Sequence, residues 1–372
     1  MMFNRKTLCA PPIFGLFCLE QQAGGADKIQ RSKLLMDDLA YGKRNKRGDW
    51  APSAHLTIAP VFVLPLRPRA FLKWLPGYFL PWNLLFAASA VAYALFVLPD
   101  VEVMKTLAWG WILRLFIVNC VAVFLFYSAF EYRLYMTRAQ GNRFKYHAKF
   151  PNDQKNTAFL FRSQNIEGII PGFGTGVPIW TAYEVGMLFA FANGYAPWLS
   201  FAQHPLYLGC LALLVPIFHE FHFFCVHRLI HWPPLYRSVH SVHHHSVNPS
   251  PWSSLSMHPI EQLLYFSSSL IHVIIPSNPV LAIYQLHYAG FGAVVGHIGF
   301  DKIETGHESA FDSHAYGHYL HHKYFEVNYG DGLVPLDKLF DTWHDGSPEA
   351  EARMNARYEK RKARMNAVKA AG

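Results

Sequence analysis

Charge is what this sequence has least of for its length. Only 16 % of its 372 residues are charged while 52 % are apolar, against an ordinary charged fraction of roughly a quarter in soluble domains. So few ions cannot solvate so much apolar side chain, which excludes a chain built only of water-soluble domains and points to a bilayer. Cysteine is scarce too: Cys9, Cys18, Cys120, Cys210 and Cys225 lie scattered with no CxxC pair, which excludes a disulfide framework and a thiolate zinc knuckle. No haem, flavin or iron–sulfur motif is present. Gly172, Gly174 and Gly176 do not make a phosphate loop, because no strand precedes them and no lysine follows in register; they read as a hinge. The net charge of +8 comes without any nucleic-acid motif. Its lysines and arginines crowd beside the apolar runs, where positive-inside topology explains them, so no nucleic-acid partner is expected.

What the chain does have is a series of apolar runs. Met1 to Leu19 begins like a signal peptide with Arg5 and Lys6, but Pro11 and Pro12 interrupt it and no small-residue cleavage site follows, so it is not expected to be cleaved. Lys28 to Arg47 is basic and solvated, placing the N-terminal region in the cytoplasm. Phe79 to Leu98 and Leu107 to Phe130 read as a first transmembrane hairpin, with Arg114 in a helix-packing role. Arg133 to Arg162 is polar and basic again, a return to the cytoplasm. Val177 to Ala192 and Leu206 to Cys225 make a second hairpin. Leu263 to Ile275 and Val280 to Val295 flank a turn at Pro276 and Pro279; each arm is short for a crossing, so a re-entrant hairpin is expected. The expected fold is an all-α integral membrane protein of about four transmembrane helices with a re-entrant hairpin and a cytosolic histidine-rich helical cap. Its segments are a cytosolic region over residues 1–70, a first membrane part over 71–205, a catalytic region over 206–345 and a charged helical tail over 346–372.

Histidine is the excess that the scarcities throw into relief. Between His219 and His322 lie 17 of the 21 histidines. His227 and His231 are four apart, and His240, His243, His244 and later His318, His321, His322 repeat an HxxHH spacing. Positions i, i+3 and i+4 share one stripe of a helix, so each cluster can aim its rings at one metal or at two adjacent ones. Imidazole is the commonest metal ligand, and this many nitrogens exceed what one ion needs. Two metals are therefore expected, of a kind that nitrogen donors suit: iron, copper, nickel or zinc. A single structural zinc would recruit cysteine. His258 and His297 are candidates to complete the coordination, and Glu261, Asp331 and Asp337 to hold the rings in place. His245, His272, His287, His307, His314 and His344 read as ordinary surface or packing residues, while His219 and His222 fit either that reading or an extension of the first cluster's face. Tyr319, Tyr324, Tyr329, Trp232 and Trp252 fit either a substrate cavity or an interfacial aromatic belt.

The order HRxxH (His227 to His231), HxxHH (His240 to His244), HPxE (His258 to Glu261), HxG (His297 to Gly299), HxxHH (His318 to His322) and Asn328-Tyr329-Gly330 resembles the fatty acid hydroxylase and sterol desaturase superfamily. The resemblance covers roughly Phe218 to Thr342. It implies an endomembrane or inner-membrane protein with a cytoplasmic catalytic face and two Fe2+ ions on the clustered histidines. It also implies use of O2 to hydroxylate or desaturate a membrane lipid, with electrons from a separate reductase or redox carrier. The sequence departs from the family at Tyr319, at Ile298 and at Asp341. The residues leave two rivals open, a histidine-ligated zinc hydrolase and a metal transporter; the number of histidines weighs against the first and their position outside the spans against the second.

Overall fold

The computed structural model describes residues 36–153, 156–306 and 308–371; the Met1 to Leu19 run and His307 lie outside the described residues. A short ribbon comes first, β1 (Gly42–Arg44) paired antiparallel with β2 (Trp50–Pro52). Helices α1 (Pro68–Phe79) and α2 (Trp82–Phe96) follow, bent by 45° at their junction, where Pro81 has no N–H to carry the helical bonding across. Next, α3 (Trp109–Phe130) runs on through a π-helical turn to Met136 as one apolar rod of 28 residues. The remaining helices that position the site are α4 (Gln164–Pro171), α5 (Val177–Ala192), α6 (Pro205–Ile230), α7 (Pro233–Ser238), α8 (Pro259–Phe266) and α9 (Pro279–Gly296). A second antiparallel ribbon, β3 (Lys302–Gly306) with β4 (Ser309–Asp312), precedes α10 (Tyr316–Tyr324) and the charged tail helix α11 (Pro348–Ala371). The fold is therefore mostly helical, with two small ribbons that the all-α expectation lacked.

The extended α3 and α6 are long and apolar enough to cross a membrane, and the bent α1–α2 pair would make a third crossing. This is fewer than the four spans expected. The shortfall is α5, which is not among the helices long and apolar enough to cross. It is held inside the bundle instead: Trp180 lies so close to Gly290 of α9 that a Cβ there would sit 2.0 Å from its ring. The Tyr127 hydroxyl of α3 donates to the Gly290 carbonyl at 2.7 Å on the same stretch. The expected re-entrant hairpin also differs. Its second arm is α9, buried along most of its length, but the first breaks after α8 into a 3-10 turn, Ser267–Leu270, and the short Ile271–Ile274 helix. Ser267 and Ser269 donate their hydroxyls back to Leu264 and Phe266 carbonyls, which draws those carbonyls out of a regular helix. Arg114 donates to the Phe96 carbonyl at 3.1 Å and so satisfies the end of α2, a packing role of the expected kind.

Two hydrophobic cores result. The larger joins α2, α3, α5 and α9 through residues such as Phe86, Leu115, Trp180 and Phe291. The smaller gathers Trp50, Phe144, Tyr146, Ile298, Phe300 and Tyr319 beneath the ribbons. Trp82 and Phe130 pack against both, and the histidine clusters lie where the bundle gives way to this second core.

Candidate metal centre

Four elements deliver the histidines. His227 is on the last turn of α6 and His231 caps its C-terminus. His240, His243 and His244 lie on a 3-10 helix, His240–His245. His297 caps α9, and His318, His321 and His322 lie on α10. The rings converge into two groups, one of His227, His231, His240, His244 and His321 and one of His243, His297, His318 and His322, with ligand atoms within 4.8 Å of one another in each. The HxxHH boxes are divided between the groups in mirror fashion. In the second box His240 and His244 go to the first group and His243 to the other; in the third, His318 and His322 go to the second group and His321 crosses back. On α10 the residues four apart stay on one face while the third turns aside, and in each box the expectation of a single stripe holds for only two of its three rings.

Neighbouring Nε2 atoms stand 3.0–3.2 Å apart throughout both groups. On the far side of the rings, Nδ1 of His227 donates to the Tyr329 carbonyl, that of His321 to Val327, that of His297 to Ala293 and that of His243 to Ser256. His240 Nδ1 lies 2.8 Å from Glu261 Oε1. A nitrogen facing a carbonyl or carboxylate oxygen must carry the proton, so in the neutral rings the inward Nε2 atoms are bare. His227 with His240, at 3.2 Å, and His243 with His297, at 3.0 Å, are thus lone pairs pointed at each other. Burial, reinforced by the neighbouring rings, holds His240, His243, His244, His318, His321 and His322 well below the ordinary imidazole pKa, so these stay neutral donors. A cation resolves the conflict: two nitrogens at right angles around an ion with bonds of about 2.1 Å stand about 3.0 Å apart. Imidazoles without thiolate, in this number, fit a pair of first-row transition ions.

The expected supporting residues fall in different places. Glu261 orients His240 directly, whereas Asp337 acts one step away by accepting from the Tyr329 and Gly330 amides and from Thr342, which fixes the carbonyl that His227 uses. Asp331 Oδ1 is 3.7 Å from His318 Nδ1, too far for a hydrogen bond. Its side chain is 46 % exposed, and that exposure is to an internal cavity. His258 is not brought into either group: half-buried at the N-terminus of α8, it accepts from the Ile260 amide because the proline that follows sets it there as a helix cap. His245 meets Glu167, His222 meets Ser267, His272 meets Ser277 and His287 meets Ser89. The residue that the sequence reading passed over is Glu220, whose carboxylate accepts from the amides of Gly332, Leu333 and Val334. Its only signal was an acid directly after His219 within an apolar run.

A fatty acid hydroxylase family match spans residues 212–342, roughly a third of the chain, and encloses every histidine of both groups. Over residues 212–342 the chain is similar to the fatty acid hydroxylase family. Among its curated relatives, the Delta(7)-sterol 5(6)-desaturase erg3C of Aspergillus fumigatus is 28 % identical over 262 residues, covering 62 % of this chain and 74 % of the relative. The Candida albicans Delta(7)-sterol 5(6)-desaturase ERG3 is 25 % identical over 62 % of this chain and 57 % of its own length. For the Saccharomyces cerevisiae protein of the same description the values are 32 % identity and 31 % of each chain. The match thus spans less than two thirds of the Candida and Saccharomyces relatives. No solved structure matches the chain. Those relatives are oxidoreductases by description.

Two of the three departures from the superfamily pattern, Tyr319 and Ile298, are accounted for locally. Tyr319 turns away from the metal groups and stacks on Tyr146 at 4.7 Å; Ile298 fills the small core beneath the ribbons. Gly299 of the HxG motif has φ +74°, and a Cβ there would lie 2.3 Å from the Tyr135 hydroxyl, so no other residue fits. A cavity of about 580 Å³ runs from α1 to the histidines, lined by Trp74, Tyr78, Phe86 and Phe223 on the way to His227, His240, His243, His297 and His318. Tyr319, Tyr324, Tyr329, Trp232 and Trp252 are not among its lining residues; the aromatic walls come instead from α1, α2 and the stretch of α6 before His227.

Proposed function

We propose that this protein is a membrane-bound di-iron enzyme that uses O2 to desaturate or hydroxylate a sterol or a related lipid. The observation that carries the reading is the convergence of bare imidazole nitrogens, in two adjacent groups, at the end of an aromatic cavity of about 580 Å³. The curated relatives are sterol desaturases by description, which favours a sterol. Two iron ions held there would supply the oxidising power to remove hydrogen from an unactivated C–H bond, with two electrons delivered by a separate reductase.

The chain's own residues do the rest. Glu261 and the Tyr329, Val327, Ala293 and Ser256 carbonyls hold the Nδ1 protons and keep each Nε2 aimed inward, the outer support on which metal sites depend. The aromatic wall excludes water and fixes the lipid beside the groups. In this reading α1–α2, α3 and α6 cross the bilayer, α5 and α9 are shielded within them, and the histidine groups face the cytoplasm, where a soluble electron donor reaches them. A hydrolytic zinc centre would leave most of these rings without a role, since it needs three protein ligands.

The test is conversion of a Delta(7)-sterol by the purified, iron-loaded protein with a reductase, read by mass spectrometry as loss of two hydrogens or gain of one oxygen. His227→Ala is expected to abolish it. Undiminished turnover in the absence of O2, or one zinc per chain in the active protein, would overturn the reading.

A further inference from the structure

The cavity has a polar point inside its aromatic wall that the metal groups do not use. His219 lies two turns of α6 before His227, about 12 Å along the axis at ~1.5 Å per residue. Its Nδ1 faces the Gln285 side-chain nitrogen at 3.3 Å; an amide nitrogen only donates, so Nδ1 accepts and the proton of the neutral ring sits on Nε2. That N–H has no partner among the described residues, and His219 lines the cavity. The Tyr288 ring packs 4.9 Å from the His219 ring. Its hydroxyl too has no partner among the described residues, and it lines the same space. Phe223 stacks between His219 and the metal groups, 6.2 Å from the one ring and 4.8 Å from His227. Two unpaired hydrogen-bonding groups set side by side in a greasy pocket are costly unless a ligand meets them.

The charge of the wall limits what that ligand is. Among the described lining residues Lys302 is the one lysine or arginine, and it is paired with Asp312, while Glu220, Asp331 and Asp301 also face the cavity. An anionic head lodged at His219 and Tyr288 would have no free lysine or arginine beside it to receive its charge. A hydroxyl is different: it accepts from His219 Nε2–H and exchanges a hydrogen bond with Tyr288 without carrying charge.

We propose that His219 and Tyr288 form a receptor for a substrate hydroxyl, so that the substrate is a neutral lipid alcohol and not a free fatty acid or a phospholipid. This rests on the reading above that a lipid fills the cavity. Anchored there, the lipid presents to the histidine groups a carbon lying well along its body from the hydroxyl.

The experiment is equilibrium binding to the full chain in detergent micelles, with a Delta(7)-sterol, the same sterol lacking its hydroxyl, and oleate as competitor. The hydroxylated sterol is expected to bind more tightly than its hydroxyl-free counterpart. Tyr288→Phe and His219→Phe are each expected to cut that preference roughly threefold to tenfold, as loss of one hydrogen bond does, with binding of the hydroxyl-free sterol unchanged as the control for folding. Equal binding of the two sterols by the parent protein, an undiminished preference in both variants, or displacement of the sterol by oleate would overturn the proposal. Binding requires neither metal nor O2, so selective binding without turnover refutes the oxygenase reading alone, and turnover without selectivity refutes the receptor alone.

Discussion

At the scale of single residues, the two candidate ligands outside the boxes, His297 and His258, behave oppositely although both sit beside small motifs. His297 carries its Nδ1 proton to the Ala293 carbonyl and its Nε2 into a metal group, while His258 bends back onto its own helix. His297→Ala is expected to remove one of two bound ions and His258→Ala neither, as counted by elemental analysis of protein purified without oxygen. Glu261→Ala leaves the His240 Nδ1 proton without its acceptor; an expected loss of about 10- to 100-fold in affinity should be confined to the five-histidine group and visible in competition with a chelator. The boxes were legible in the sequence because a ligand type and a spacing are local facts. Which ring serves which group was not, because it depends on how a 3-10 turn and an α-helix rotate relative to each other. Glu220 was not legible either, since its role is set by a loop more than a hundred residues away.

At the scale of elements, hydropathy located the apolar helices but not their depth. The run Val177–Ala192 is as apolar as α3, yet α5 is surrounded by protein, and what decides this is the close seat of Trp180 against Gly290. Gly290→Val is expected to overpack this contact at a cost of about 1–3 kcal/mol, read as a lower melting temperature with metal affinity little changed in the folded fraction. The loop after α10 depends on α6 in a comparable way. Glu220→Ala would leave the Gly332, Leu333 and Val334 amides without their acceptor, and faster hydrogen exchange over these three residues is the expected result. Unchanged exchange there would mean that the loop is held by something other than that carboxylate.

At the scale of the whole molecule, the histidine groups join parts that otherwise have separate cores. α6 and α9 contribute to the bundle core, whereas α10 contributes to the smaller core beneath the ribbons, and their ligands meet in the groups with those of the 3-10 helix. Chelation is therefore expected to lower the melting temperature, and the temperature should climb again with the logarithm of free Fe2+ as a ligand that binds only the folded state requires. A melting temperature indifferent to metal would mean that the two cores hold together without it. The mirrored division of the boxes has its own consequence. Because one short turn serves both ions and so does one helix, ordering either element for the first ion removes part of the entropic cost of the second. Loading should then be cooperative, with a titration steeper than that of two independent sites and little singly occupied protein at half saturation.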